Sequence, residues 1–176
     1  LVLNIGSGAN PMSVPGYRVI NVDRFDQAED VARAAGAQFF RHDVFDLAFW
    51  RSLRERFGLT EKPAAILFYN MWAYAGIHGP LTQAGITPAE PYEAVRQNVR
   101  GYLLRAQQLV RPDGKVFFVD FMPPEGAVVS RIPQVVELMK DEPAVARTVV
   151  FELEAPRGPP VAAAFTISPA SAGSPG

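Results

Sequence analysis

Gly6, Gly8, Asp23 and Asp43 are the residues whose types and spacing point to chemistry. The two glycines stand in NIGSGANP, directly after a short apolar run. A backbone without Cβ turns sharply there and lets a ligand approach closely. Asp23 ends VINVD and Asp43 follows FFRH, so two carboxylates also stand just past apolar runs. One can accept both hydroxyls of a ribose, and the other can accept from the exocyclic amine of adenine while the Val44 backbone meets the ring. By itself a GxG fits an unliganded tight turn equally well, and a single Asp commonly caps a turn or sits in a surface loop. Three successive strand ends, each carrying a group that a nucleoside needs, point jointly to a nucleoside site.

Spacing separates the nucleoside ligands. A dinucleotide fingerprint requires G-x-G-x-x-G opening a full helix whose N-terminus holds the pyrophosphate. Here Gly6-Ser7-Gly8 runs into Ala9-Asn10-Pro11, and Pro15 and Gly16 interrupt the stretch before the next apolar run at Val19. The crossover is close to the minimum of about a dozen residues for a parallel connection. No normal helix fits, which disfavours a nicotinamide dinucleotide and favours a ligand without a pyrophosphate.

These residues need an α/β sheet to bring them together, and the hydrophobic pattern predicts one. Val2 to Ile5, Val19 to Val22, Gln38 to Arg41, Ala64 to Tyr69 and Lys115 to Phe121 read as short buried strands. Gln27 to Gly36 reads as a helix with Asp26 as N-cap. Asp46 is positioned to cap a second, with Leu47, Trp50, Leu53 or Arg54, and Phe57 on one face and Gly58 as its end. Thr87-Pro88-Ala89-Glu90 resembles a capping box opening a third, whose apolar stripe is Val95, Val99, Tyr102, Leu103, Ala106 and Val110. A broken helix is expected over Gln134 to Lys140, and Thr148 to Leu153 with Val161 to Ile167 as a closing antiparallel pair. The expectation is a mainly parallel sheet covered on both faces, with ligands outside the carboxyl ends of its strands. Residues 1–167 read as one domain, and 168–176, which contain only Ser, Pro, Ala and Gly, as a loose tail.

Composition narrows the class. The chain has 176 residues, 48% hydrophobic and 20% charged, enough for one globular core. Its 17 Lys and Arg against 18 Asp and Glu provide no global positive charge for a phosphate backbone, so nucleic acid is not the expected partner. Apolar runs are strand-sized, so no membrane span is expected. With no cysteine there is no disulfide, thiolate metal site or cysteine nucleophile, and no metal site is read. No secretory leader pattern is visible, and a cytoplasmic protein is the expectation. The oligomeric state is not legible.

LNIGSGANPMSVPGYRVINVD followed by HDVFDL resembles the class I S-adenosylmethionine-dependent methyltransferases, in particular a subgroup with a Leu-Asn-Leu-Gly-Cys-Gly-like first motif and a Gly-Tyr then Asn-Val-Asp second motif. The resemblance is specific over Leu1 to Leu47 and looser through LVRPDGKVFFVDF and the final hairpin. It implies a Rossmann-like seven-stranded sheet whose last strand is antiparallel, binding S-adenosyl-L-methionine across the first strand tips. Gly6, Ser7 and Gly8 would then line the methionine portion, Asp23 the ribose, and Asp43 with Val44 the adenine, with Asn10, Arg24 and Asn70 also bordering the cofactor. Three features depart from the family. Asn4 stands where many members carry an acid, although this subgroup often has Asn, the usual acid opening the fourth strand is absent from PAAILFYNMW, and the given residues open on the expected first strand without the helix that usually comes before it.

Methyl transfer from a sulfonium is an in-line displacement, so holding a nucleophile against the methyl and excluding water does much of the work. Asn70 ends the fourth strand, where it can orient an acceptor or satisfy loop backbone. His78 is the candidate base, or else an exposed turn residue among Gly76, Gly79 and Pro80. Tyr69, Trp72 and Tyr74 can stack on a planar small-molecule substrate or simply plug the loop. Met71 to Thr87 is long and aromatic enough for a lid. The competing reading is a non-catalytic nucleoside-cofactor-binding or interaction module on the same fold.

Overall fold

The computed structural model describes residues 1–8, 10–69, 91–121, 141, 145–152 and 160–167. Its elements are β1 (Val2–Ile5), β2 (Val19–Asp23), α1 (Asp26–Ala34), β3 (Phe39–Arg41), α2 (Phe49–Phe57), β4 (Ala65–Tyr69), α3 (Pro91–Leu109), β5 (Lys115–Phe121), β6 (Val145–Glu152) and β7 (Pro160–Ile167). They form a seven-stranded sheet in the order β3-β2-β1-β4-β5-β7-β6. β1 is parallel to β2 and β4, β2 to β3, and β4 to β5. β7 pairs antiparallel with β5, from Lys115 opposite Thr166 to Phe121 opposite Pro160, and antiparallel with β6.

Strand alternation assigns the two faces. Leu3, Ile5, Ile20, Val22, Ile66, Phe68, Val116 and Phe118 share one core with Phe49 and Leu53 of α2 and with Val99, Tyr102, Leu103 and Ala106 of α3. Alternate residues Val2, Asn4, Val19 and Asn21 are buried towards the opposite face, where α1 packs on β2 and β3. Order reverses between β1 and β4, so the connections from their adjacent tips, to β2 and to β5, leave in opposite directions. That is where an open α/β sheet has room for a ligand.

Two helix starts differ from their sequence signals. α1 begins at Asp26 itself, after Phe25, which makes no side-chain cap bond. The Asp26 carboxylate instead meets Arg41 at 2.6 Å. Asp46 precedes α2 by a turn. Its Oδ1 accepts from the Ala48 N–H at 2.8 Å and its carbonyl accepts from the Phe49 N–H at 3.0 Å, so it forms an Asx turn feeding the helix rather than its cap. Leu47 therefore falls outside the helix and is 94% exposed, not on the apolar face. The 87–90 capping box, the 134–140 helix and the 168–176 tail lie outside the described residues.

Candidate functional site

β1 delivers Gly6 to Gly8 to the switch point. Gly6 and Gly8 have φ of +74° and +48°, a region that costs an L side chain about 1–2 kcal/mol. The Gly6 and Ser7 amides donate to the Val22 carbonyl at 2.9 and 3.3 Å, which bends the chain over the end of β2. A Cβ on Gly8 would meet nothing within 4 Å, so this position opens onto free space. Ser7 is turned the other way. It is 1% exposed, and its Oγ is buried with no partner among the described residues, so its hydroxyl is not presented at the opening of the loop. The Asn10 N–H donates to the Ser7 carbonyl at 2.8 Å and closes the loop.

A pair of buried side-chain amides replaces the missing crossover helix. Asn4 and Asn21 lie opposite each other in the β1–β2 register and are fully buried. Asn4 Nδ2 donates to Asn21 Oδ1 at 2.8 Å. The same Asn21 oxygen accepts from the Met12 N–H at 2.8 Å, and Asn21 Nδ2 donates to the Met12 and Gln38 carbonyls at 3.3 and 3.2 Å. The non-helical segment after the glycines is thus paired to Asn21 much as a strand would be. Asn4 faces this network through its Nδ2.

Asp23 at the tip of β2 is 8% exposed and accepts three backbone bonds. Its Oδ2 takes the Gly8 N–H at 2.9 Å, while Oδ1 takes the Arg24 and Phe25 amides at 2.7 and 3.1 Å. It is therefore both a turn acid and the brace of the glycine loop. A carboxylate has about four acceptor positions, so the acceptor capacity left on Asp23 is mainly on Oδ2 rather than shared evenly between both oxygens. Arg24 is exposed, with its guanidinium 5.0 Å from the Phe25 ring centroid.

Beyond β3, Asp43 Oδ1 accepts from the Phe45 N–H at 2.9 Å, and its carbonyl accepts from the Asp46 N–H at 3.1 Å. His42 stacks on Phe40 at 5.1 Å and meets Phe49 edge-on, with Nδ1 3.1 Å from the Asp43 carbonyl, so it is a packing residue of this turn. Val44 puts its side chain in the core. Its carbonyl is taken by Arg105 Nε at 2.6 Å, and Arg105 Nη2 takes the Asp46 carbonyl at 2.6 Å. Burial pulls the Arg105 guanidinium below its usual pKa, while Asp46 and Asp43 oppose that shift. Tyr102, one turn earlier on α3, packs on Phe45 and Phe68 at 4.9 and 5.2 Å. Burial first, and then the Asp43 charge, push its hydroxyl well above the usual tyrosine range; Arg24 acts in the opposite sense. Asp43, Arg24 and Tyr102 are therefore electrostatic neighbours.

Gly6, Gly8, Asp23, Arg24, Asp43 and Val44 thus lie at the carboxyl ends of three adjacent strands. Asn70, Trp72, Tyr74, His78 and the 71–87 segment lie outside the described residues, as does the Tyr69 side chain. Sequence reading missed Arg105 and the placement of Tyr102 near Asp43. It also missed the Asn21–Met12 pairing, for which an Asn inside an apolar strand was the only available signal. No group of three metal-ligating side chains occurs among the described residues.

No protein-family model matches the sequence, and no curated protein matches it. The fold does match solved structures. Cofactor-bound Rv0187 from MTB aligns with a TM-score of 0.57 at 13% identity, over 96% of this chain and 73% of that one. The N-methyltransferase NodS from Bradyrhizobium japonicum WM9 aligns with a TM-score of 0.51 at 14% identity, over 96% of this chain and 85% of that one. An O-methyltransferase family protein from Burkholderia thailandensis aligns with a TM-score of 0.51 at 14% identity, over 97% of this chain and 51% of that one. At these identities the likeness is one of fold.

Proposed function

We propose that this protein binds S-adenosyl-L-methionine at the tips of β1, β2 and β3 and transfers its methyl group to a small-molecule acceptor. The observation that carries the reading is the convergence of an open, left-handed Gly8, the Asp23 carboxylate and the Asp43 turn at one switch point. The residues fit the ligand. Gly8 leaves room that a Cβ would enter, Asp23 keeps acceptor capacity on Oδ2 for a ribose hydroxyl, and Asp43 keeps Oδ2 for the adenine amine. The non-helical crossover offers no pyrophosphate site, which separates this reading from a nicotinamide enzyme.

When bound, S-adenosylmethionine supplies a methyl carbon on a positively charged sulfur. The chain's own part would be to hold the nucleoside by its edges, with Gly6 to Gly8 lining the methionine portion. On the acceptor side the sequence supplies Asn70 as an orienting group and His78 as a base, with Trp72 and Tyr74 to cover the substrate. The motif subgroup read from NIGSG and NVD belongs to the same proposal. A binding module that has kept the cofactor and lost transfer is the competing reading, motivated by the missing fourth-strand acid.

Calorimetry with S-adenosylhomocysteine and NAD tests the cofactor assignment: the first is expected to bind and the second not, and tighter binding of NAD overturns it. Transfer of labelled methyl groups across a small-molecule acceptor panel tests catalysis. Activity lost in the Trp72→Ala, Tyr74→Ala double variant, with cofactor affinity kept, supports an aromatic lid. No turnover of any acceptor by a protein that binds the cofactor supports the binding module.

A further inference from the structure

Arg105 stands out among the charged side chains because its contacts join distant parts of the chain at the candidate site. It lies on α3 and spends two donors on the 43–46 turn: Nε on the Val44 carbonyl and Nη2 on the Asp46 carbonyl, each at 2.6 Å. Nη1 is fixed by Gln108 Oε1 at 3.0 Å, so the fork itself is oriented. From inside the turn, Asp43 binds the Phe45 and Asp46 amides through its Oδ1 and its carbonyl. The turn is thus held on both sides. The planar guanidinium suits this task, because its donors have fixed spacing and match two carbonyls at once, which an ammonium cannot do.

Resting on the reading of Asp43 as the acceptor for an adenine amine, we propose that Arg105 is a positioning residue that fixes the 43–46 turn and thereby sets selectivity for a 6-aminopurine over a 6-oxopurine. The reason is steric and electrostatic. A 6-amino group donates to the carboxylate, whereas a 6-oxo group places acceptor against acceptor. That repulsion discriminates only while the carboxylate is held in place. In a loosened turn Asp43 swings away, and the penalty against the oxo base disappears.

The experiment measures the affinities of the full chain for S-adenosylhomocysteine and S-inosylhomocysteine, in the natural protein and in Arg105→Gln and Arg105→Lys. The natural protein is expected to prefer the adenosyl compound by about tenfold or more, the worth of one hydrogen bond to a charged group. Arg105→Gln should bring the ratio close to one, and Arg105→Lys, which keeps the charge but not the fork, should fall between. A merely structural role would lower the melting temperature and both affinities together, leaving the ratio unmoved, and that result overturns the proposal. If Arg105→Gln does not fold, Arg105→Lys decides alone: a reduced ratio supports the proposal and an unchanged ratio overturns it. Failure of the natural protein to bind S-adenosylhomocysteine overturns instead the reading of the site on which the proposal rests.

Discussion

The two halves of the candidate site are held by different means. The glycine-loop half is built from residues close in sequence: Asn4, Asn21, Met12 and Asp23 hold the loop within the first two strands and the segment between them. The half around the 43–46 turn has its own local bracket in Asp43, but its outer support comes from Arg105, 61 residues beyond Val44. The first half can therefore form as soon as β1 and β2 pair, whereas the second is complete only when α3 has docked. Local bonds cost little loop-closure entropy, and the distant bond requires the tertiary fold to be in place.

Asp23→Ala is expected to have the largest effect, because it removes the acceptor for three amides at once. Chemical denaturation should show a loss of about 3 kcal/mol or more, given about 1.5–3 kcal/mol per bond to a charged group and incomplete additivity. The variant therefore loses stability and cofactor binding together, which sharpens the distinction from a residue that only touches ligand. Full stability in this variant would remove the brace from the account.

Asn21→Ala breaks mainly one side, because the Gln38 carbonyl that also loses Nδ2 keeps its bond from the residue 21 N–H. It leaves the Met12 amide and Asn4 Nδ2 without their buried acceptor, at a cost of about 1–3 kcal/mol. Affinity for S-adenosylhomocysteine should fall while that for adenosine, which lacks the amino-acid arm, stays the same. Equal losses for both ligands would show that the halves are not separately held.

The legibility of the site follows the same division. Glycines after a strand, Asp23 and Asp43 are local signals, and the strands Val2–Ile5 and Lys115–Phe121 coincide with the apolar runs. Asp46 was misread because an Asp before an apolar run suits both an N-cap and an Asx turn, and the difference is two residues of backbone. Arg105 carried no signal at all. On a helix whose apolar stripe is Val99, Tyr102, Leu103 and Ala106 it looks like any solvated Arg, and its partners in the 43–46 turn are backbone carbonyls, which every residue has. Tyr102 was legible as core but not as a neighbour of Asp43, since that proximity exists only after α3 packs across the sheet.

Tyr102→Phe should have a smaller effect that depends on pH. The folded protein holds the hydroxyl protonated above the usual tyrosine pKa, so the associated stability is fully present below about pH 10 and is lost as pH rises beyond it, by up to about 1.4 kcal/mol per pH unit. The variant should therefore show a shallower alkaline fall in stability with little change at pH 7. An unchanged alkaline limb would place the hydroxyl in contact with water. Smallest of all is Arg33→Ala, which removes exposed pairs with Glu29 and Asp30 on α1. It should cost less than about 1 kcal/mol and leave both halves of the site as they were.

The account stands on one site formed jointly by the tips of β1, β2 and β3. Its most direct test is a backbone amide NMR titration of the full chain with S-adenosylhomocysteine. The prediction is that Gly6 and Gly8, Arg24, and Val44 and Phe45 shift together with one saturation curve, while α1 residues such as Ala32 do not. Shifts confined to one of the two halves, or a response centred elsewhere in the chain, would contradict it.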